Sequence, residues 1–208
     1  EYKTEFDLSQ KDINSHSLIL EFQGIDTYSS IYLNDSLIET TDNMFIGKTV
    51  DIKNFAKLGK NKLYIKLLSP INIGVKIHDS LGYDISSFNA NDLAEIGKVE
   101  GNKRVSVFTR KAPYHYGWDW GPRLVTSGIW QPINIKTWNY FNIEDLYIRQ
   151  KSLNENANLV AEIELESYLE IDEIVSEIYV DNQKVSTDLV YINKGANKIE
   201  IPFTIKDY

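Results

Sequence analysis

Hydrophobic and polar positions along this chain alternate with a period of two rather than 3.6. Leu18, Leu20 and Phe22 alternate with Ile19, Glu21 and Gln23, as a half-buried strand requires. Ser30-Ile31-Tyr32-Leu33 runs into the turn-forming cluster Asn34-Asp35-Ser36 and leaves it through Leu37-Ile38, which predicts a hairpin. Gly59-Lys60-Asn61 predicts another turn, with Leu63, Ile65 and Leu67 on one face after it and Pro70 ending the strand. From Ile71 to about Gly101 the pattern weakens, and only Asn91–Ile96 has the composition of a short helical turn. Alternation returns at Val105 and Val107 and breaks at Pro113, and Gln131–Ile135 reads as a closing strand.

After Trp138-Asn139-Tyr140 the pattern begins again. Four strands are expected, over 143–149, 159–166, 173–180 and 198–203, with turns at Asp181-Asn182-Gln183 and Asn193-Lys194-Gly195. The chain is therefore read as all-β, with one sandwich over 1–140 and a second over 141–208. Two short motifs echo across that boundary. Ile31-Tyr32-Leu33-Asn34 is similar to Ile178-Tyr179-Val180-Asp181, and Gly59–Leu63 to Gly195–Ile199, at a spacing too irregular for a solenoid repeat.

Composition narrows the functions. With 42% hydrophobic and 12% aromatic residues in 208, the chain can bury an ordinary core. A net charge of -8 argues against nucleic acid and against an anionic membrane surface as partners. The absence of cysteine excludes disulfides and thiolate chemistry. No apolar run approaches the roughly 20 residues of a membrane span. The start at Glu1-Tyr2-Lys3 is no signal peptide, and the immediate strand pattern leads us to expect that a true N-terminus precedes it. None of this fixes a compartment. Low alanine with plentiful lysine, asparagine and isoleucine suggests an AT-rich bacterial gene, for which a periplasmic or extracellular location is favoured.

Candidate chemistry concentrates between Arg110 and Trp130. Gly117 and Gly121-Pro122 bracket Trp118-Asp119-Trp120, which predicts a sharply bent loop carrying aromatic and acidic side chains. A tryptophan can cover the apolar C–H face of a sugar while a carboxylate accepts hydrogen bonds from neighbouring hydroxyls. The same residues read equally well as packing, with Asp119 capping a turn or pairing with Arg123. Elsewhere His16, His78 and His115 lack metal-ligand spacing, and no G-x-S-x-G is present. Asn34-Asp35-Ser36 matches a glycosylation sequon but sits where a turn wants asparagine. The acidic residues of 155–177 alternate as a solvated sandwich face does. Neither a metal nor a cofactor is expected.

The run Gly117–Trp130, with Arg-Lys-Ala-Pro-Tyr at 110–114 ahead of it, resembles the β-mannosidases of glycoside hydrolase family 2. Gly24–Tyr28, Tyr32–Asn34, Asp42–Phe45, Leu58–Pro70 and Ile143–Gln150 match as well, so the resemblance covers nearly the whole chain. It implies a jelly-roll, galactose-binding-like sandwich followed by an immunoglobulin-like sandwich. It further implies that Trp118 walls, and Asp119 hydrogen-bonds, the subsite for a terminal mannose, with Trp120 and Arg123 supporting the loop. In the family both catalytic carboxyl groups of the retaining mechanism come from a (β/α)-barrel. No barrel lies within this chain, so no catalytic residue is expected here, and strands are expected to be missing at both ends. Pro113 stands where the family often has glutamine, which affects only the local backbone. The resemblance thus implies the non-catalytic front part of an exo-β-mannosidase, with the barrel and a mannoside as partners. The alternatives are a free-standing carbohydrate-binding module or a fragment of another family 2 glycosidase, such as a β-galactosidase or β-glucuronidase.

Overall fold

A computed structural model describes residues 1–83, 85, 104–119 and 121–206. They divide into two compact units, Glu1–Thr137 and Trp138–Tyr208. In chain order the first contains β1 (Tyr2–Leu8), α1 (Gln10–Asn14), β2 (Ser17–Phe22), β3 (Ile25–Asp26), β4 (Tyr28–Leu33), β5 (Ser36–Asp42), β6 (Lys48–Asp51), β7 (Gly59–Leu68), α2 (Pro70–Leu81), β8 (Gly128–Ile129) and β9 (Ile133–Trp138). The strands form one sheet of order β1-β7-β4-β5, another of order β6-β2-β9, and a short β3-β8 ladder.

The alternation read from the sequence builds the core of this unit. Leu18, Leu20 and Phe22 of β2 meet Ile31 and Leu33 of β4 and Leu63 and Ile65 of β7 in one buried cluster. The hairpin between β4 and β5 turns through Asn34 and Asp35 at φ 48° and 69°. Both central residues are left-handed, the geometry whose twist matches paired strands and which Asn and Asp tolerate. The Asn34 side chain is engaged inside the fold, donating to Phe55 O at 2.9 Å and to Asn61 Oδ1 at 2.8 Å.

The second unit holds β10 (Phe141–Leu153), β11 (Asn156–Ser167), β12 (Ile171–Val180), β13 (Gln183–Ile192) and β14 (Gly195–Lys206). The sheets β10-β11-β14 and β12-β13 bury Ala161, Leu165, Val190, Ile192, Ile201 and Phe203 in a single cluster, making a second sandwich. Three of its acidic residues pair across strands: Glu162 with Arg149, Glu164 with Lys198 at 3.1 Å and Glu177 with Lys184 at 2.8 Å.

The echo between the two units has a physical cause. Asp181 and Asn182 repeat the φ signs of Asn34 and Asp35, at 48° and 64°. Asn61 donates to Lys57 O and Gly59 O, both at 2.8 Å, and accepts from Lys57 N at 2.9 Å. Asn197 does the same to Asn193 O, Gly195 O and Asn193 N at 2.7, 2.8 and 2.8 Å. One asparagine per unit thus clamps the chain entering a long strand, just past a glycine at positive φ.

Four expectations are corrected. Gly59, Lys60 and Asn61 already lie in β7 rather than in a turn. Pro70 does not merely end a strand; it opens α2. Ser69 caps that helix, its hydroxyl accepting from Asn72 N at 3.3 Å, and Gly82 closes it at φ 71°. Val105 and Val107 flank and enter a 3-10 turn, Ser106–Phe108, instead of a strand. Among its described residues the second unit has five strands, not four, because β13 carries Lys184, Ser186 and Asp188 where a regular alternation would be apolar. The helical turn expected at Asn91–Ile96 lies outside the described residues. Among the described residues no helix is long and apolar enough to cross a membrane.

Candidate functional site

Lys111 to Thr126 forms one long excursion of the first unit, and it carries the residues singled out in the sequence. A 3-10 turn over Pro113–Tyr116 ends at Gly117, whose φ of 106° and ψ of 149° fall in a region open only to glycine. Trp118 and Gly121 then bridge each other: Trp118 O accepts from Gly121 N, and Gly121 O accepts from Trp118 N at 3.5 Å. A Cβ on Gly121 would meet Trp118 O at 2.9 Å, so this close approach also needs glycine. Asp119 lies inside the bridge at φ 36°, a left-handed conformation that a short polar side chain tolerates. Both glycines that bracket the run in the sequence therefore make the bend.

The turn presents its side chains outward. Trp118 is 61% exposed and Asp119 is exposed beside it. Arg123 lies beneath, 4% exposed, with its guanidinium carbon 5.7 Å from the centroid of the fully buried Tyr116 ring. Tyr116 packs with Val105, and against that pair lie Ile71 and Val75 of α2, Phe108 and Val125. Gly74 permits this approach of the helix, since a Cβ there would come within 2.8 Å of Val105 Cβ. Trp120 lies outside the described residues.

Polar contacts tie the same excursion to the sandwich. Arg110 Nη1 donates to Asp42 Oδ2 at 2.7 Å, and Met44 N donates to Arg110 O at 3.0 Å. Trp130 Nε1 donates to Met44 O at 3.2 Å while its indole lies against Gly24, leaving no room there for a Cβ. Lys111 Nζ bonds Asp26 Oδ2 and also donates to Thr126 O at 2.8 Å. The Lys111 and Asp26 side chains are 0% and 6% exposed. His115 stacks on Tyr114 at 4.8 Å, and its Nδ1 shares a hydrogen bond of 3.2 Å with Thr126 Oγ1. Burial, and next the Lys111 charge, hold the His115 imidazole below its ordinary pKa, against smaller opposing effects of Asp26 and of the Leu124 backbone.

The buried pair is what sequence reasoning missed. Asp26 and Lys111 each sit in a run already singled out, yet 85 positions separate them, and nothing local marks either as a partner. Its consequence is asymmetric. Removing one member of a buried pair costs about 3–5 kcal/mol by stranding the other charge, whereas exchanging both for apolar groups is often neutral.

Chemically, an open tryptophan face beside a carboxylate on a braced turn can cover one face of a sugar ring and accept from its hydroxyls. A surface cavity of about 650 Å³ is lined elsewhere, by Lys3, Glu5, Lys62 and Tyr64 among others. Among the described residues no group of three or more His, Asp or Glu is placed to hold a metal ion.

Comparison with known proteins gives concordant matches. The family described as glycosyl hydrolase 2 galactose-binding domain-like matches residues 1–131. A beta-mannosidase B of Thermothelomyces thermophilus is 28% identical over 193 residues, which is 90% of this chain and 20% of that protein. The chain thus spans about a fifth of the length of the curated relatives it matches. The crystal structure of a β-D-mannosidase from Dictyoglomus thermophilum superposes with a TM-score of 0.78 at 32% identity, over 99% of this chain and 24% of that one. A β-glucuronidase of an uncultured Clostridium superposes at 0.59 with 18% identity, over 100% of this chain and 29% of that one, a likeness of fold alone.

Proposed function

The chain belongs to the glycosyl hydrolase 2 galactose-binding domain-like family, matching the N-terminal region of family 2 glycosidases, β-mannosidases among them, and from that premise we propose that it is the non-catalytic front part of a retaining exo-β-mannosidase. Its fold class is that of this region, a galactose-binding-like jelly roll followed by an immunoglobulin-like sandwich, which we divide at residues 1–140 and 141–208. Its part in hydrolysis of terminal β-mannose is one wall of the terminal subsite. Asp119 accepts hydrogen bonds from sugar hydroxyls and Trp118 covers the ring, with Trp120 and Arg123 holding the loop. The acid/base and the nucleophile belong to a (β/α)-barrel that follows.

One observation carries this reading. Trp118 stands 61% exposed next to Asp119, at the apex of a turn beneath which Tyr116 and Arg123 are buried. A braced turn of this kind suits a group that must meet a transition state without reorganising.

The test is Asp119→Ala in the full-length enzyme, assayed on an aryl β-mannoside. Loss of a charged hydrogen-bond partner at the reacting sugar is expected to lower kcat/KM by about 10²-fold or more, with the circular dichroism spectrum unchanged. Near-normal activity would sink the proposal.

A further inference from the structure

The excursion that carries Trp118 and Asp119 leaves the sandwich at Lys111 and returns at Thr126, and one ammonium group touches both feet. Lys111 Nζ meets Asp26 Oδ2 and donates to Thr126 O at 2.8 Å. The second carboxylate oxygen, Asp26 Oδ1, accepts from Thr27 Oγ1. Asp26 itself is fixed in β3, paired with Gly128 of β8 two residues beyond Thr126. Thr27 O accepts from Thr41 Oγ1 at 2.7 Å, and Thr41 shares a 2.8 Å hydrogen bond with Ser29. A continuous buried network thus runs from β4 and β5 through Asp26 to both ends of the excursion. Thr126 extends it upward through the 3.2 Å contact with His115, three residues before Trp118.

A core does not need this arrangement for stability, because a well-packed apolar pair would serve as well. What an ion pair adds is direction: the ammonium must lie where the Asp26 carboxylate and the Thr126 carbonyl converge. We propose that Asp26 and Lys111 are positioning residues for the sugar site, clamping the two feet of the loop and so fixing where Trp118 and Asp119 stand. The clamp acts through Asp119 and Trp118 and touches no substrate. This rests on the function proposed above.

A double-mutant cycle in the full-length enzyme tests it. Asp26→Asn combined with Lys111→Met removes both charges together and strands neither. Displacing a substrate-positioning loop by about an ångström can cost on the order of 10²-fold, so kcat/KM on an aryl β-mannoside should fall by about tenfold or more. Placed on an Asp119→Ala background, the same pair of changes should cost less than about twofold, because the directional hydrogen bonds it aims are already gone and the broad face of Trp118 tolerates a small displacement. An equal loss in both backgrounds would assign the pair to general folding and overturn the proposal, as would no loss in either. Thr27→Val offers a milder route should the charge-free pair fail to fold. It keeps volume and charges, frees Asp26 Oδ1, and should lower kcat/KM about threefold only where Asp119 is present; an effect in both backgrounds, or in neither, again overturns the clamp. If Asp119→Ala alone has no effect, it is the functional reading that fails, and the cycle separates the two failures.

Discussion

At the scale of single residues, the loop is a problem of backbone conformation before it is one of chemistry. Gly117 at φ 106° and ψ 149° occupies a region where any Cβ is strained. Gly121 is needed for a different reason, its closeness to Trp118 O. Gly117→Ala should therefore cost about 1–3 kcal/mol, read as a lower urea midpoint at unchanged slope. An unchanged midpoint would mean that the backbone relaxes there at no cost and that the turn is not rigid. Asp119 also has a positive φ, 36°, but in the left-handed region, which aspartate visits and which needs no glycine. That is why an acidic residue could be placed at the apex without breaking the bend.

At the scale of elements, what was legible in the sequence was whatever depends on near neighbours. Period-two alternation marked β2, β4 and β7, and Asn-Asp pairs marked the hairpins. The Trp118–Asp119 bend was legible because two glycines bracket it. Helix α2 was not, although Ser69-Pro70 and Gly82 are its cap, first residue and stop: Ile71, Ile73, Val75 and Ile77 give no clean helical period and Gly74 interrupts them, which hides the Ile71–Val75 face that packs against Val105 and Tyr116. The Asp26–Lys111 pair was hidden because only the folded sandwich brings residues 85 apart together. Glu21 is a second non-local case, joining β2 to β9. Hydrogen bonds from Lys136 Nζ at 2.6 Å and Asn134 at 3.0 Å hold its carboxyl at a pKa of about 2. Since the unfolded carboxyl titrates near 4.5, the folded state binds fewer protons between the two values. Glu21 therefore contributes stability that is fully present above about pH 4.5, and it is lost as pH falls toward about 2. Glu21→Gln should flatten the acid limb of a plot of urea midpoint against pH in that window. A variant whose acid limb matched the parent's would show that the β2–β9 tie carries no proton-linked stability.

At the scale of the whole molecule, the question is what the proposed wall of a sugar site could do alone. Small-molecule sites bury about 70–90% of their ligand, and enclosure is what makes each hydrogen bond to a hydroxyl worth more than its counterpart in water. Trp118 and Asp119 stand on an exposed turn, so a mannose ring laid on Trp118 would keep its other face and most hydroxyls in solvent. The gain from one stacked face is of the order of a single aromatic contact, about 0.5–1.5 kcal/mol, well short of the roughly 4 kcal/mol that millimolar affinity requires. Isothermal titration of the chain with mannose and with β-manno-oligosaccharides should accordingly show no binding at millimolar concentrations, while the full-length enzyme binds a mannose-configured inhibitor and loses affinity on Asp119→Ala. Millimolar or tighter binding to the chain by itself would instead make it a free-standing carbohydrate-binding module. In that case Trp118→Ala should abolish the binding, and the loop would be a complete site rather than one side of one.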